Sequence, residues 1–317
     1  MATTKPSSEG RRPRVIAVVG PTATGKSGLA LELAERLGAE IVNADALQLY
    51  RGMDIGTAKV PREDRRRIPH HQLDVLDVRE QASVAAYQRR ARAAVTDIRE
   101  RGRTAIVVGG SGLYLRAALD RLEIPPTDPR VRRRLEEQLE RDGIAVLAER
   151  LRAADPGAAE RIQPGNGRRI VRALEVIELT GGRFAATMPE REYLLPTVTI
   201  GLGLDRAELD ERIARRVRAM WEQGLVAEVQ TLLAHGLREG RTASRALGYS
   251  QVVEHLDGTL TAAVAQSDTT AATRRFARRQ LSWFGPDRRI SWLPADAPQL
   301  LDQALAVVTA AALSDNG

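Results

Sequence analysis

The strongest constraint on this chain is the segment GPTATGKS at residues 20–27. It matches the pattern G-x-x-x-x-G-K-[ST], whose glycines let successive backbone N–H groups point at phosphate oxygens. An apolar run, RVIAVV, precedes it, and GLALELAERLG, with leucines four residues apart, follows it. Because a buried strand before the loop and an amphipathic helix after it are the context that such a loop requires, a chance glycine-rich turn explains the segment poorly. We predict a phosphate-binding P-loop at the front of a parallel α/β core.

Strand and helix signals alternate along much of the chain. Residues 39–45 (AEIVNAD) and 104–110 (TAIVVGG) have the composition of buried strands, and residues 84–101 between them have the pattern of a helix. Strand character returns at residues 197–205 (TVTIGLGLD), and RISWL at 289–293 is a candidate last strand or sheet edge. This alternation predicts an α/β fold of the P-loop type, with a doubly wound parallel sheet.

The character of the chain changes near Asp120, after which no convincing strand occurs until about residue 196. Three helical segments occupy this region, and the first opens with Asp128 as N-cap and Pro129 at the first helical position. The other two are expected at 144–154 and between Asn166 and Gly181. We therefore predict a disordered leader (1–13), a first core part (14–119), a helical insertion (120–195) and a second core part with basic C-terminal helices (196–317).

Composition narrows the function classes. The 317 residues contain no cysteine, which excludes disulfides, thiolate metal sites and a cysteine nucleophile and fits a reducing cytoplasm. Neither an apolar signal-peptide core nor a membrane-length apolar stretch is present, so we expect a cytoplasmic protein without a membrane partner. The net charge of +7 indicates an anionic partner, or simply an arginine-rich surface, and composition alone does not separate the two.

The loop pattern leaves open which phosphate compound is bound. A P-loop usually implies a nucleoside triphosphate, and hydrolysing enzymes commonly have an aspartate at the end of an apolar strand. Gly109 and Gly110 stand where that aspartate would be expected, and Asp45 is the better-placed carboxylate. The pattern predicts binding of a di- or triphosphate group and disfavours an ATPase motor.

Asp45 and Ser111 each follow a predicted strand, on the side where parallel sheets place their sites. Asp45 can accept a proton or orient a metal-bound water, but a turn or N-cap role is equally compatible with its position. Ser111 can donate a hydrogen bond, although capping the following helix GLYLRAAL is the simpler interpretation from position alone. One of Arg212, Arg215 and Arg216 could reach the phosphate site as a second cation, and surface charge is the default for all three.

Basic side chains form three groups, which can bind nucleic acid or simply face solvent. They are Arg132 to Arg134, the set Arg168, Arg169 and Arg172, and the set Arg274, Arg275, Arg278 and Arg279, which Trp283 and Phe284 follow. Arginine suits phosphate recognition and an aromatic ring can stack on a base, so together with the P-loop these groups favour a nucleic-acid partner. His70 and His71, within the mostly polar stretch 47–79, lack further ligands at metal spacing and are interpreted as structural.

Several segments together resemble one family. From about residue 14 to 294 the chain is similar to the bacterial tRNA dimethylallyltransferases, also called tRNA isopentenyltransferases. The segments that carry the resemblance are GPTATGKS, NADALQLYRGMDIGTAK, PHHQLD, VGGSGLYLRA, RRIVRALEVIELTG, GLVAEV, ALGYSQ and TRRFARRQLSWF. The stretch NADALQLYRGMDIGTAK distinguishes this family from ordinary P-loop kinases.

The resemblance implies transfer of a dimethylallyl group from dimethylallyl diphosphate to the exocyclic amine of the adenosine 3′-adjacent to the anticodon, with release of diphosphate. It implies that Asp45 is the general base, that Ser111 stands where the family more often has threonine, and that Arg216 contacts the diphosphate. It also implies that the loop holds the donor's diphosphate with Mg²⁺, to which Ser27 would contribute. The implied diphosphate-binding residues are Gly20, Thr22, Ala23, Thr24, Gly25, Lys26 and Ser27.

The resemblance further implies contacts with the anticodon stem-loop of tRNA, including contacts from the helical insertion. The residues implied by family segments and by the C-terminal basic helix are Asp45, Ala46, Leu47, Gln48, Arg168, Arg169, Ile170, Val171, Arg172, Arg245, Ala246, Leu247, Gly248, Tyr249, Ser250, Arg274 and Arg278. Ser250 departs from the pattern, since some members have arginine or lysine there. The zinc finger of eukaryotic members is absent, as the lack of cysteine requires, and no dimerisation motif is visible, so we expect a monomer.

Two alternatives remain at this point. A nucleotide or small-molecule kinase would share the loop and sheet, consume ATP and need no RNA. A non-enzymatic RNA-binding protein on a degenerate P-loop fold would need neither a complete loop nor Asp45, and both are present.

Overall fold

The computed structural model describes residues 15–185 and 188–314. The leader predicted at 1–13 lies outside the described residues. Contacts divide the chain into two compact units: the described parts of Met1–Arg121 and Tyr193–Gly317 form the first, and Leu122–Glu192 forms the second. The first unit is called the core unit below, and the second the helical unit.

The core unit contains a six-stranded, wholly parallel sheet in the order β3-β2-β4-β1-β5-β6 within the described residues. The strands are β1 (Val15–Val19), β2 (Glu40–Asn43), β3 (His70–His71), β4 (Ala105–Val108), β5 (Val198–Gly203) and β6 (Ile290–Pro294). The predicted α/β class is confirmed, and so are the predicted return of the chain at β5 and the last strand β6. The two-residue edge strand β3 was not predicted, because it is polar and lies within a long loop.

Helices cover both faces of the sheet and build the helical unit. Those of the core unit are α1 (Lys26–Leu37), α2 (Val84–Glu100), α3 (Gly112–Leu119), α8 (Arg206–Glu222), α9 (Leu225–Ala234), α10 (Tyr249–Leu256), α11 (Ala262–Phe284) and α12 (Leu300–Ser314). Those of the helical unit are α4 (Pro129–Asp142), α5 (Ile144–Ala154), α6 (Pro156–Arg161) and α7 (Gly167–Thr180). In the described part of the chain, none of them is both long enough and apolar enough to cross a membrane.

Successive side chains of β1 point to opposite faces of the sheet, and helices cover both faces. Ile16 and Val18 point to one face and pack with α1 and α12, whereas Val15, Ala17 and Val19 point to the other and pack with α2 and α3. Because both faces are covered, the strand is apolar throughout, which is why it is a continuous hydrophobic run in the sequence.

The helical unit has its own small core. Leu135, Leu147, Leu151, Ile170 and Leu174, each 2% exposed or less, meet between α4, α5 and α7. The sequence-predicted caps are confirmed: the carboxylate of Asp128 accepts the N–H groups of Arg130 and Val131, and α7 begins after Asn166 and ends before Gly181. The six-residue helix α6 was missed, because one and a half turns carry too little periodicity to detect.

Candidate functional site

The parallel sheet brings three loops to one edge. The loops after β1, β4 and β2 leave the carboxyl ends of neighbouring strands, and in open parallel sheets ligands bind at that edge. The phosphate loop follows β1, Asp45 follows β2, and Ser111 follows β4. Residues separated by more than sixty positions in sequence are thereby gathered at one place.

The phosphate loop has the backbone shape that its pattern predicts. Ala23 (φ 65°) and Gly25 (φ 84°) are left-handed, and such residues in a tight loop turn N–H groups inwards to form an anion-binding concavity. No side chain caps the start of α1, so its first N–H groups remain available to a ligand. The ammonium of Lys26 donates to the carbonyl of Pro21 at 2.5 Å, and that carbonyl also accepts from the hydroxyl of Thr24 at 2.9 Å.

Three charged groups interact at this edge. Burial first, and then the neighbouring Arg216 guanidinium, lower the pKa of Lys26 to about 7, against the opposing effect of Asp45. Burial also lowers the pKa of Arg216, and Asp45 again counteracts it. Arg216 donates to the carbonyl of Thr57 at 3.4 Å, so in the described structure it hydrogen-bonds a neutral group. When Lys26 is protonated, it and Arg216 outweigh the one carboxylate of Asp45, and a bound anion would neutralise the excess positive charge.

One carboxylate oxygen of Asp45 stabilises the turn after β2, and the other is available to a ligand. Its Oδ1 accepts the N–H of Leu47 at 3.0 Å, so the turn interpretation of this residue is correct as far as it goes. Asn43 fixes the loop by accepting the N–H of Asp45 and donating to its carbonyl, both at 3.0 Å. Within residues 15–185 and 188–314, Oδ2 of Asp45 has no hydrogen-bond partner. One carboxylate oxygen is therefore anchored while the other can accept a proton.

Ser111 occupies the N-cap position of α3, but its side chain makes no capping hydrogen bond. Its Oγ instead accepts the N–H of Ala46 at 3.2 Å and so ties the β4–α3 turn to the residue after Asp45. The hydroxyl proton of Ser111 stays available for donation to a ligand.

Of the three arginines proposed on α8, one lies in the site. Arg212 donates to Glu208, and Arg215 donates to Glu208 and Glu211, in exposed pairs along the helix surface. Arg216 is the one that is electrostatically coupled to Lys26 and Asp45.

Two residues that sequence reasoning did not single out organise the loops around the site. Glu228 on α9 accepts the backbone N–H groups of Asp54, Ile55 and Gly56 and the hydroxyl of Tyr249. This places the carbonyl of the following residue, Thr57, which accepts from Arg216. Glu228 lies in GLVAEV, a segment that carried the resemblance, but no local signal shows its partners.

Gln280 on α11 is the second such residue. Its Oε1 accepts the N–H of Thr22 in the phosphate loop, and its Nε2 donates to the carbonyl of Gly110, both at 2.9 Å. Gln280 lies in TRRFARRQLSWF, which also carried the resemblance, and the 258 positions that separate it from Thr22 hide the contact from sequence inspection.

Comparison with known proteins now identifies the family. The family model described as IPP transferase matches residues 48–289. A tRNA dimethylallyltransferase of a Nocardioides strain is 58% identical over 300 residues, covering 94% of this chain and 97% of the relative. The chain belongs to the tRNA dimethylallyltransferase family. The Streptomyces coelicolor relative of the same name is also 58% identical, covering 95% of this chain and 98% of its own length.

Solved structures agree with this family assignment. The crystal structure of the full-length tRNA isopentenylpyrophosphate transferase of Bacillus halodurans is 36% identical, with a TM-score of 0.70 and coverage of 96% of this chain and all of that one. A eukaryotic dimethylallyltransferase acting on tRNA has a TM-score of 0.79 at 27% identity, covering 95% of this chain and 79% of that chain. The family named from sequence motifs and the predicted fold are both confirmed.

The family segment on α7 divides into two kinds of residue. Arg168 and Arg169 are exposed on its first turn. Ile170 and Val171, by contrast, are each 2% exposed and pack in the core of the helical unit. The helix turns both side chains inwards, and the predicted tRNA contact of these two residues stays a prediction.

Arg172, the last residue of that segment, is held inside the helical unit. It donates to Glu175 at 2.6 Å and to the carbonyls of Pro125 and Pro126. Arg132 donates to the same carboxylate, and the hydroxyl of Thr127 donates to it as well. The guanidinium of Arg172 thus serves the packing of α7, and its predicted contact with tRNA stays a prediction.

The segment from Arg245 to Ser250 is also mixed. Arg245 is exposed, and Leu247 and Ser250 are half-buried. Ala246 and Tyr249 are 4% and 0% exposed, and Gly248 is buried between them. Tyr249 packs in the core and its hydroxyl donates to Glu228 at 2.6 Å, and the predicted tRNA contacts of these three residues stay predictions.

The basic face of α11 lies beside α8. Arg274 donates to the carbonyl of Asp210, and the guanidinium groups of Arg274 and Arg278 each lie 3.8 Å from its carboxylate. Pairs of this length with the half-buried Asp210 are loose, so both guanidinium groups stay available to a phosphate. Their predicted contact with tRNA stays a prediction, as do those of Leu47 and Gln48.

The two histidines have structural partners. His71 pairs with the buried carboxylate of Glu40 at 2.8 Å, and His70 contacts the carbonyl of Ile68 at the same distance. Burial, ahead of a backbone contact that opposes it, lowers the pKa of His70. No group of three His, Cys, Asp or Glu side chains in the described ranges is arranged as a metal site.

Proposed function

We propose that this protein transfers a dimethylallyl group from dimethylallyl diphosphate to the exocyclic amine of the adenosine 3′-adjacent to the anticodon in tRNA, releasing diphosphate. The observation that carries the proposal is the convergence of Lys26, Arg216 and Asp45 at the phosphate loop. It combines an anion holder with a carboxylate in one site. The names of the relatives, and the neighbour acting on tRNA, support the same substrate.

The chemistry follows from that combination. An aryl amine is a weak nucleophile because its lone pair is delocalised into the ring. As the nitrogen attacks the first carbon of the donor, the new C–N bond forms and the bond from that carbon to the diphosphate oxygen breaks. Oδ2 of Asp45 takes the amine proton, which later passes to solvent, so the product amine is neutral.

The departing diphosphate gains negative charge in the transition state. Lys26, Arg216 and the N–H groups at the start of α1 would stabilise that charge, and no side chain caps those N–H groups. Ser111 lies within the same loop cluster and is proposed to orient the amine through its hydroxyl.

Among the described residues, the candidate ligand for Mg²⁺ is Ser27. The hydroxyl of Ser27, at the start of α1, has no hydrogen-bond partner in the described part of the chain. The described ranges hold no cluster of acidic side chains arranged for a metal, so the diphosphate itself would supply the remaining ligands, which fits a metal that binds through substrate phosphates. When bound, Mg²⁺ would neutralise part of the leaving-group charge.

The adenosine must leave the stacked anticodon loop to reach the edge of the sheet. Extrusion of a base costs a few kcal/mol, and contacts with backbone phosphates offset that cost. We propose that Arg168, Arg169, Arg245, Arg274 and Arg278 make such contacts, and that the protein works as a cytoplasmic monomer on tRNA.

A direct assay tests the function. Labelled dimethylallyl diphosphate is incubated with unmodified tRNA and Mg²⁺ in the absence of ATP, and label in tRNA and released diphosphate are measured. We expect equal amounts of both, and no label in a control tRNA whose target adenosine is replaced by guanosine. ATP consumption without transfer would instead support the kinase alternative and end the proposal.

A further inference from the structure

Gln280 is a buried polar residue for which the reaction described above has no use. It is 5% exposed and lies near the end of α11, while its neighbours on the buried side of that helix are the apolar Ala277 and Phe284. A glutamine in such a position is costly unless both ends of its amide are hydrogen-bonded.

Both ends are bonded, and each to a different loop of the site. The N–H of Thr22 can only donate and the carbonyl of Gly110 can only accept, so the two partners fix the orientation of the Gln280 amide. The amide therefore bridges the phosphate loop after β1 to the turn after β4 with two bonds of 2.9 Å.

The fit of α11 against that turn is tight. A Cβ at Gly110 would lie 2.2 Å from Nε2 of Gln280, and a Cβ at Gly112 would lie 2.0 Å from Nε1 of Trp283. Glycine at both positions lets the last turn of α11 approach the backbone on either side of Ser111. The bridge thus has little freedom to shift.

A third bond continues the bridge towards Asp45. Ser111, the residue between those glycines, accepts the N–H of Ala46, the residue after Asp45. The phosphate loop and Asp45 are therefore linked through Gln280, Gly110 and Ser111 by three hydrogen bonds.

Resting on the proposed function, we propose that Gln280 is a positioning residue that sets the separation between the phosphate loop and Asp45. Displacement needs the nitrogen, the carbon and the leaving oxygen in line, with Asp45 at one end and the diphosphate at the other. A misplacement of about 1 Å by a residue remote from the reacting atoms can cost about 10²-fold in rate. Gln280 touches neither substrate in this proposal and acts only through the two loops.

The test compares Gln280→Met with Gln266→Met. Gln266 lies on the same helix α11, and its side chain forms no hydrogen bond in the described structure. The single-turnover rate constant for transfer is measured at saturating dimethylallyl diphosphate and tRNA, with thermal unfolding and tRNA binding measured alongside. We expect the rate constant of Gln280→Met to fall by about 10²-fold relative to the control, with tRNA affinity unchanged.

A merely structural role gives a different pattern. It would lower the unfolding temperature and the amplitude of the turnover, since fewer molecules are folded, but leave the rate constant of the folded fraction equal to that of Gln266→Met. That result overturns the proposal, and so does an effect confined to donor affinity that disappears at saturation.

A second variant, Gln280→Glu, keeps the proposal testable if Gln280→Met does not fold. It has the same size and keeps the acceptor for Thr22, but it lacks the donor for Gly110. We expect its saturating rate constant to fall as well, and a value equal to that of the control overturns the proposal. A wild-type protein that transfers no label signals failure of the proposed function instead, so the two failures are distinguishable.

Discussion

Half-buried arginines occur both at the sheet edge of the core unit and in the interior of the helical unit. The two regions differ in whether a carboxylate neutralises the positive charge of the guanidinium. In the helical unit, Arg132 and Arg172 donate to the carboxylate of Glu175, which is 0% exposed. At the sheet edge, Arg216 donates to the neutral carbonyl of Thr57 and interacts with Asp45 only at longer range. The paired cations stabilise a fold, whereas the unpaired one is set for a ligand that brings the negative charge.

Removing the carboxylate at the sheet edge should have the largest effect. Asp45→Asn keeps an acceptor for the N–H of Leu47 but removes the base, so we expect the rate of transfer at saturation to fall by about 10²–10⁴-fold. Affinity for tRNA and the unfolding temperature should hardly change. Asp97→Asn, in an exposed pair with Arg101, is the matched control. Equal losses of tRNA binding and turnover would show that Asp45 is not the general base.

Removing the carboxylate in the helical unit should cost stability instead. Glu175→Gln leaves Arg132 and Arg172 half-buried without a counter-charge, and we expect a loss of about 3 kcal/mol in the free energy of unfolding. Glu178→Gln, on the same helix with the exposed partners Arg134 and Arg150, should cost less than about 1 kcal/mol. Urea unfolding measures both. Equal losses of unfolding free energy for the two variants would mean that the burial of Glu175 and its arginine partners adds nothing to stability.

The unpaired charge at the sheet edge predicts a pH dependence of donor binding. Lys26, with a pKa of about 7 in the free protein, is protonated below that pH and must take up a proton to hold diphosphate above it. The bound anion raises this pKa, so affinity should fall by up to about tenfold per pH unit above 7 and show no contribution from Lys26 below 7. Calorimetric titration with inorganic diphosphate at several pH values measures this affinity. Lys26→Arg should abolish the decline, and an unchanged decline would assign it to another group.

The smallest expected effect is on tRNA binding, and it separates the exposed arginines of α7 from the paired one. Replacing Arg168 and Arg169 by Ala should weaken tRNA binding and reduce the slope of log affinity against log salt by roughly 1 to 2. Arg172→Ala should leave that slope unchanged and lower stability, since its guanidinium is engaged with Glu175. If the wild type and the double variant have the same slope of log affinity against log salt, Arg168 and Arg169 do not contact tRNA phosphates and simply face solvent.

Much of the fold was predictable because its signals are local. The phosphate loop, its preceding strand and following helix, and the caps of α4 and α7 depend on residues a few positions apart. The edge strand β3 and the short helix α6 were missed, since two and six residues carry little pattern. Asp45 could be proposed from a family segment and Arg216 from the resemblance, but the family segments also included Ile170 and Tyr249, which the packing turns inwards.

The glycine-rich segment at residues 20–27, with its apolar strand and amphipathic helix, was enough to determine a phosphate site in a parallel sheet, because backbone conformation and periodicity are properties of neighbouring residues. Only the tertiary structure decided which arginines are neutralised by Glu175 and which one stays unpaired near Lys26. It alone joined Gln280 to Thr22 and Gly110. Those outcomes depend on desolvation and on distances between segments far apart in sequence, which a linear pattern does not contain.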